Sequence, residues 1–188
     1  GSTLAARLLS EGETVVGVDS ITDYYDTSLK RENLQPLLEN ERFTLKERDI
    51  TELRPEDLEG VRQMYHLAGQ PGVRQSWGSE FEAYTHANIS ATQKLLELAR
   101  TLPDLERLVY SSSSSIYGDA ESFPTVESAL PKPVSPYGAT KLAAEHLCGV
   151  YAANFGLPVT SLRYFTVYGP KQRPDMAFTR FLLAAATG

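Results

Sequence analysis

Stretches with helical spacing alternate with short apolar stretches along the chain, and this order constrains the fold more than any other feature of the sequence. Leu4, Leu8 and Leu9 follow the spacing of a helix that ends at Gly12. Further helices are predicted near residues 29–38, 81–100, 135–156 and 178–186, and strands over 14–19, 42–49, 61–69, 106–113 and 158–165. Because parallel strands need long crossover connections, the alternation predicts an α/β fold with a doubly wound parallel sheet.

The composition excludes several classes of protein. With 41% hydrophobic and 22% charged residues among 188, the sequence is typical of a globular domain. A formal net charge of -6 offers no positive field to a phosphate backbone, so we expect no nucleic-acid partner. The sequence lacks an apolar run of about 18 residues and a basic leader, so we expect no membrane insertion or secretion, but a cytoplasmic protein.

Cysteine and histidine usage predicts neither a disulfide nor a metal site. The single cysteine, Cys148, lies in an apolar helical pattern where a buried thiol is expected, which suits a reducing compartment. His66, His86 and His146 have no ligand spacing among them and no cysteine pair nearby. We therefore expect no bound metal.

Five consecutive serines, Ser111–Ser115, begin where a predicted buried strand emerges from the sheet. A serine run is often a flexible linker, since nothing in it is buried to offset chain entropy. This run instead lies between two elements of one domain. In an open parallel sheet, ligands bind beyond the carboxyl ends of the strands. The serines are therefore predicted to border a ligand site.

Gly1 and Asp19 have the relative positions of two parts of a dinucleotide site. Gly1 precedes a predicted helix, and Asp19 closes the next strand, close to the separation of about 20 residues between a glycine loop and its ribose acid. A carboxylate there would accept hydrogen bonds from a ribose and repel a 2′-phosphate, which favours NAD over NADP. An ordinary solvated strand end is the alternative.

Tyr137 and Lys141 stand four residues apart on a predicted helix, so both side chains project from one face. A tyrosine ordinarily loses its proton near pH ~10, and a neighbouring ammonium favours the phenolate. The pair therefore suits proton transfer. A solvent-facing helix pair is the alternative.

The chain resembles the extended short-chain dehydrogenases/reductases of the NAD-dependent epimerase/dehydratase family over its whole length. Gly1 and the helix that follows it resemble the last glycine and following helix of the family's G-x-x-G-x-x-G loop. The family commonly has alanine at the position of Gly69. Besides Gly1 and Asp19, the resemblance implies NAD contacts at Asp49, Ile50, Leu67, Ala68, Gly69, Tyr137 and Lys141.

By the same resemblance, residues 1–188 are a partial NAD-binding Rossmann-like domain. The family's first strand and first two glycines would lie upstream of Gly1, and most of its smaller substrate-binding region would follow residue 188. The missing strand is central in such a sheet, so its neighbours would lose a ladder partner. We expect residues 1–188 alone to bind NAD poorly and to be inactive.

The resemblance implies that Ser113, Tyr137 and Lys141 are catalytic. Tyr137 would exchange a proton with the sugar 4-hydroxyl, Ser113 would hydrogen-bond that hydroxyl, and Lys141 would also hold the nicotinamide ribose. Dehydratases of the family have Asp-Glu at the positions of Ser114 and Ser115, and decarboxylases have Glu at the second. Because these acids are missing, the resemblance implies epimerisation at C4 through a transient 4-keto intermediate, with both serines beside the substrate.

The segment from Leu162, LRYFTVYGPKQRPDMA, is similar to R-F-F-T-V-Y-G-P-x-G-R-P-D-M-A of UDP-glucuronate 4-epimerases. It implies substrate contacts at Thr166 and Arg173, although Gln172 replaces the family's glycine. Arg74 is a further candidate on the substrate side. An arginine suits a carboxylate or a diphosphate. The expected substrate is a UDP-linked sugar, most of all UDP-glucuronate, which would become UDP-galacturonate.

Several alternatives remain open at this level. Arg173 could cap its loop, and Arg74 could be a solvated loop arginine. The same scaffold serves UDP-glucose 4-epimerases and related dehydratases or decarboxylases. A catalytically silent NAD-binding or assembly module is an alternative function of another class. The resemblance also implies a possible homodimer through two long helices of each subunit, Ala83–Ala99 and Pro136–Ala153.

Overall fold

The computed structural model describes residues 1–120 and 122–187, which divide into two compact units. One unit holds Gly1–Asp49 with the described residues from Thr166 on, and the other holds Ile50–Phe165. The helices are α1 (Ser2–Ser10), α2 (Thr27–Leu38), α3 (Phe81–Tyr84), α4 (Ala91–Ala99), α5 (Pro136–Phe155) and α6 (Ala177–Thr187). The strands are β1 (Val15–Asp19), β2 (Phe43–Glu47), β3 (Gln63–His66), β4 (Arg107–Ser113) and β5 (Val159–Tyr164).

The first unit is built on a two-stranded parallel sheet. Strand β1 pairs with β2 in register from Val15 and Phe43 onward. Leu9 of α1 and Leu37 of α2 pack with Phe43 of β2 in one buried cluster. The Arg42 guanidinium donates to two carbonyl oxygens at the end of α1, 3.0 and 3.1 Å away, which satisfies acceptors that a helix C-terminus leaves unpaired.

The second unit is built on a three-stranded parallel sheet in the order β3-β4-β5. Strand β4 is central, and Leu108 and Tyr110 on it are almost completely buried. Its register with β5 runs from Leu108 opposite Val159 to Ser113 opposite Tyr164. The last three residues of β4 are serines, so the strand brings polar side chains to its carboxyl end.

A π-helical segment, Thr85–Ser90, separates α3 from α4. The sequence predicts one continuous α-helix over residues 81–100, and the structure differs from that prediction in this middle part. A π turn is wider than an α turn. Asn88, inside this segment, is buried and hydrogen-bonded across the unit, which gives the wider turn a structural reason.

Helix α5 begins and ends where the sequence predicts. Ser135 caps it by accepting a hydrogen bond from Gly138 N at 3.1 Å, and Pro136 takes the first helical position, where the missing N–H costs nothing. Gly156 ends the helix with φ +68°, a left-handed conformation that glycine adopts without strain. The start of α5 is therefore fixed locally, and it carries Tyr137.

The predicted Rossmann-like α/β fold is confirmed, with parallel strands and connecting helices in the expected order. The structure adds that, among the residues it describes, the five strands form a two-stranded and a three-stranded sheet. Within residues 1–120 and 122–187, no helix combines the length and the apolar character that a membrane span requires.

Candidate active site

Tyr137 and Lys141 lie on the first two turns of α5, and each has an aromatic ring beside it. The half-buried Tyr137 ring meets the Tyr84 ring edge-on, with centroids 6.2 Å apart. Lys141 is buried, and its Nζ lies 4.5 Å from the centroid of the Tyr110 ring. The negative face of an aromatic ring stabilises a nearby ammonium. The geometry therefore offers Lys141 a place for its charge inside the protein.

Burial lowers the pKa of Lys141 to about 8, while the nearby Cys148 and Glu145 side chains act in the opposite direction. The ammonium is thus the main form at neutral pH and is lost far more readily than that of an exposed lysine. Its Nζ lies 4.0 Å from the position that a Cβ on Gly69 would take. Lys141 therefore faces the loop that follows β3, where the sequence predicts cofactor contacts.

Ser113 ends β4, and the turn after it packs against the start of α5. Ser113 Oγ accepts a hydrogen bond from Ser115 N at 3.1 Å, which begins the short 3-10 turn Ser114–Ile116. A Cβ on Gly138 would lie 2.5 Å from the Ser115 carbonyl oxygen, so only glycine permits this approach. The structure thus packs the serine turn against the first turn of α5, which carries Tyr137, and the serine run is the end of a strand, not a linker.

A cavity of about 490 Å³ opens beside this turn. Ser114, Ser115 and Tyr117 line it together with the aromatic side chains Phe123 and Phe165. A concave site with hydroxyl groups and aromatic rings suits a small polar ligand that also has an apolar face. The two serines that the sequence assigns to the substrate side are among its lining residues.

Asn88 joins the loop after β3 to α5, and the sequence analysis gave it no role. Its Oδ1 accepts from Gln70 N at 2.8 Å, and its Nδ2 donates to Gln70 O at 3.1 Å and to Thr140 Oγ1 at 3.0 Å. A Cβ on Gly69 would lie 2.7 Å from Asn88 Oδ1, which explains glycine where the family commonly has alanine. An asparagine inside an apolar helical pattern was the available signal.

His66 extends this set of hydrogen bonds toward β3. The Thr92 hydroxyl donates to Asn88 O at 2.7 Å, so its oxygen accepts from His66 Nε2 at 2.9 Å. His66 Nδ1 is buried without a hydrogen-bond partner, and burial lowers the pKa of His66 to about 3, with the charge of Lys141 adding to the effect. The imidazole is therefore neutral. We call the set of His66, Gln70, Asn88, Thr92 and Thr140 the Asn88 network.

A second set of hydrogen bonds centres on Arg163 of β5. Its Nε and Nη2 donate to Glu145 Oε1 at 3.0 and 2.7 Å, and its Nη1 donates to the Tyr117 hydroxyl and to the Glu127 carbonyl oxygen, each at 2.8 Å. Ser112 Oγ donates to Glu145 Oε2 at 2.5 Å. We call Ser112, Tyr117, Glu127, Glu145 and Arg163 the Arg163 network.

The charges of the Arg163 network are well matched. Burial raises the pKa of the Glu145 carboxyl, but the hydrogen bonds from Arg163 and Ser112 together outweigh it and hold that pKa below its usual range. The hydrogen bond to Glu145 in turn raises the pKa of the Arg163 guanidinium. Both groups are therefore charged at neutral pH, and the sequence analysis predicted neither.

Asp19 lies at the carboxyl end of β1 in the first unit, as predicted. Its Oδ1 accepts from Ile21 N at 2.8 Å. The buried Ile21 has φ +46°, a left-handed conformation that is strained for a β-branched residue, and this hydrogen bond helps to hold it. Gly1 is exposed directly before α1, and its carbonyl oxygen accepts from Ala5 N at 2.9 Å.

Arg173, a predicted substrate contact, is paired within its own loop. Its Nε and Nη2 donate to the two carboxylate oxygens of Asp175 at 2.9 and 3.2 Å. Thr166 is exposed in the same unit. Gln172 Nε2 donates to Thr179 Oγ1 at 3.0 Å, while Gln172 Oε1 is buried without a partner. The substrate roles of Thr166 and Arg173 stay predictions, and Asp175 competes for the arginine.

The other predicted contact residues lie in loops and turns. Leu67, Ala68 and Gly69 are exposed directly after β3, and Arg74 is exposed further along the same connection. Asp49 is the last residue of its stretch of the first unit, and Ile50 begins a 3-10 turn in the second. Their contacts with ligands stay predictions. In the part of the chain that the structure describes, no cluster of histidine, cysteine and acidic residues suits a metal ion.

Comparison with known proteins finds one matching family model and relatives that are named as epimerases. Residues 1–188 match the family model described as "NAD dependent epimerase/dehydratase family". The chain is 46% identical over 184 residues to the uncharacterized UDP-glucose epimerase YtcB of Bacillus subtilis, covering 97% of this chain and 58% of that protein. It is 40% identical over 191 residues to UDP-glucuronate 4-epimerase 2 of Arabidopsis thaliana, covering 97% of this chain and 44% of that protein.

Among solved structures, the fold is similar to UDP-glucuronic acid 4-epimerase from Bacillus cereus in complex with UDP-glucuronic acid and NAD. The TM-score is 0.94 at 45% sequence identity, covering 99% of this chain and 59% of that one. The chain thus spans about half the length of the relatives that it matches.

Proposed function

Because the chain belongs to the NAD-dependent epimerase/dehydratase family, we propose that the protein carrying it is an NAD-dependent nucleotide-sugar 4-epimerase. The first candidate reaction is the conversion of UDP-glucuronate to UDP-galacturonate. The observation that carries this proposal is the approach of the Ser113 turn to the start of α5. That turn has the hydroxyl side chains of Ser114 and Ser115 at the positions where an enzyme that eliminates water needs acidic residues.

The residues of the chain fit NAD. The Asp19 carboxylate suits ribose hydroxyls, and the first turn of α1 carries no acidic side chain that would repel a pyrophosphate. In the second unit, Leu67–Gly69 and Lys141 would hold the nicotinamide side. When bound, NAD would supply the reversible oxidation of the sugar carbon.

The side chains divide the proton chemistry between them. Tyr137, as a phenolate, would take the proton of the sugar 4-hydroxyl, hold it as the neutral phenol and later return it. The Lys141 ammonium would stabilise the phenolate before the proton is taken and after it is returned. Ser113 Oγ uses a lone pair to accept from Ser115 N, which leaves its own O–H to donate to the sugar oxygen. Ser114 and Ser115 cannot protonate a leaving hydroxyl as a carboxylic acid would, so the product keeps the mass of the substrate.

UDP-glucose is the second candidate substrate. The pairing of Arg173 with Asp175 favours it, because that guanidinium already has a carboxylate partner. The relative named as a UDP-glucose epimerase points in the same direction. A substrate without a carboxylate would leave the Arg173–Asp175 pair intact.

A homodimer and a cytoplasmic location belong to the same proposal. The half-exposed Val150 and Phe155 on α5 are the kind of apolar surface that a partner subunit's helices would cover. Cys148 is buried, and burial raises the pKa of its thiol to about 12, which suits an inert thiol in a reducing compartment. Size-exclusion chromatography with light scattering tests the dimer, and fractionation of the source cells tests the location.

The test of the proposed function uses the protein from the complete reading frame, supplied with NAD. UDP-glucuronate and UDP-glucose are incubated separately, and the products are separated by chromatography and identified by mass. We expect an isobaric epimer of UDP-glucuronate. Conversion of UDP-glucose alone would support the second candidate, and loss of water or carbon dioxide would contradict epimerisation.

Tyr137→Phe provides the matched mechanistic test. It should abolish turnover while NAD binding stays within about twofold, because only the proton-transferring oxygen is removed. Tyr65→Phe is the control, since Tyr65 is exposed on β3 and its hydroxyl donates to Gln63. Turnover that survives in Tyr137→Phe would contradict the mechanism.

A further inference from the structure

A long connection lies between the serine turn and α5, and it lines the cavity. Residues 118–134, as far as the structure describes them, form turns without a helix or strand. Phe123 and Leu130 on this connection are 83% and 72% exposed, so little apolar packing holds it in place. A loop of this length next to a cavity is commonly functional. Its position therefore depends on a few polar attachments.

Arg163 provides such an attachment. Its Nη1 donates to the Glu127 carbonyl oxygen in the middle of the connection and to the Tyr117 hydroxyl at the cavity wall, each at 2.8 Å. Its other donors, Nε and Nη2, bind Glu145 on α5 at 3.0 and 2.7 Å. One planar group thus bonds to the connection and to the helix that carries Tyr137 and Lys141.

Glu145 ties this group to the reactive face of α5. It lies four residues after Lys141 and eight after Tyr137, so the three side chains share one face of the helix. Its second oxygen accepts from Ser112, the residue before Ser113. The Arg163 network therefore joins the serine strand, α5 and the loop of the cavity.

We propose that Arg163 is a positioning residue that sets the shape of the substrate cavity. It holds the loop at Glu127 and the cavity wall at Tyr117 against α5, and it acts on substrate binding through them rather than by touching the reacting atoms. A lysine cannot replace it, because an ammonium is a point charge whereas the guanidinium offers donors in several fixed directions. This inference rests on the proposed function for its substrate.

The test compares Arg163→Lys with wild type in the NAD-loaded protein from the complete reading frame. The lysine keeps the charge opposite Glu145 but loses the bonds to Glu127 and Tyr117. We expect the KM for the nucleotide sugar to rise about tenfold, the equivalent of one charge-assisted hydrogen bond, with kcat and NAD affinity within about twofold. Arg62→Lys is the control, because Arg62 pairs with Glu106 on the exposed surface of the same unit.

A merely structural role would lower melting temperature and NAD affinity together with substrate binding. That result would overturn the inference, and so would an unchanged KM in Arg163→Lys.

Amide hydrogen exchange separates this inference from the proposed function, because it needs no turnover. Peptides covering residues 118–134 should exchange faster in Arg163→Lys than in wild type or Arg62→Lys. If wild type converts no nucleotide sugar but the exchange of this loop still rises, the proposed function fails and the attachment by Arg163 stands. Unchanged exchange in Arg163→Lys would overturn the inference whatever the activity.

Discussion

The Asn88 network and the Arg163 network both bind α5, but they differ in charge and in depth. The Asn88 network consists of neutral amide, hydroxyl and imidazole groups, and Asn88 itself is 1% exposed. The Arg163 network is built on an ion pair whose side chains are 22% and 14% exposed for Arg163 and Glu145. Both are held together by hydrogen bonds, with His66 Nδ1 the exception in the Asn88 network, so the difference lies in what each location permits.

In the second unit, the depth at which a polar group lies follows the free energy that its burial costs. Neutral groups that are fully hydrogen-bonded can be buried at moderate cost, whereas a buried ion pair must recover a large desolvation penalty. The neutral network accordingly lies deep, between the loop after β3 and α5. The charged network lies where solvent still reaches, beside the loop of the cavity. Depth should give the first network rigidity, and exposure should leave the second sensitive to salt.

The largest expected effect comes from Asn88→Ala. It removes three hydrogen bonds and leaves both backbone groups of the half-buried Gln70 without those partners. We expect a loss of about 3–5 kcal/mol in the free energy of unfolding, measured by urea denaturation. Asn154→Ala, which removes an exposed bond within α5, is the control and should cost far less. Equal losses in the two variants would contradict the special role of Asn88.

Glu145→Leu comes next. It leaves the Arg163 guanidinium without its carboxylate in a partly buried place, and solvent access should limit the loss to about 2 kcal/mol. The difference in unfolding free energy between Glu145→Leu and wild type should shrink in 1 M NaCl, because salt at that concentration screens charges beyond about 3 Å. The loss in Asn88→Ala should not change with salt. A salt-independent loss in Glu145→Leu would remove the distinction between the two networks.

His66 tests the neutral character of the Asn88 network through pH. The pKa of His66 is lowered to about 3 in the folded protein, so the unfolded chain binds the extra proton first as pH falls below about 6.5. The stability due to the neutral imidazole is fully present above that pH and is lost as pH falls toward 3, at about 1.4 kcal/mol per pH unit.

The check is urea denaturation of wild type and His66→Gln between pH 6.5 and 4.5. Glutamine can donate to Thr92 but does not titrate, so its stability should fall less steeply with acid. Parallel curves would show that His66 carries its proton in the folded state.

Ser112→Ala gives the smallest effect. It removes one of the donors to Glu145, and the carboxylate keeps Arg163, so we expect a loss of about 1 kcal/mol. Ser111→Ala is the control, since neighbouring residues of a strand point to opposite faces of the sheet. If the two variants lose the same stability, the hydroxyl of Ser112 contributes nothing specific to the ion pair.

The sequence was sufficient for those features that depend on local pattern. Element order, the bounds of α5 and the four-residue spacing of Tyr137 and Lys141 are each written within a short stretch of chain. The end of β4 at the serines was predictable for the same reason. These signals come from propensity and periodicity, which need no knowledge of distant contacts.

The sequence was not sufficient for the networks, because their members are far apart along the chain. Arg163 and Glu145 are 18 residues apart, and Asn88 and Thr140 are 52 residues apart. Their pairing follows from the tertiary fold alone. His66 was assigned no chemistry for the same reason, since a lone histidine in a strand has no pattern that reveals Thr92.

The π segment Thr85–Ser90 has a consequence for how the gene can vary. Removing one residue there would restore a regular α-helix and rotate everything before it by about 100° relative to α4. Asn88 would then leave Gln70 and Thr140, although every hydrophobic position of α4 would keep its place. A single-codon deletion in this helix should therefore cost at least the stability that Asn88→Ala loses, and length variation among descendants of this gene should avoid these six positions.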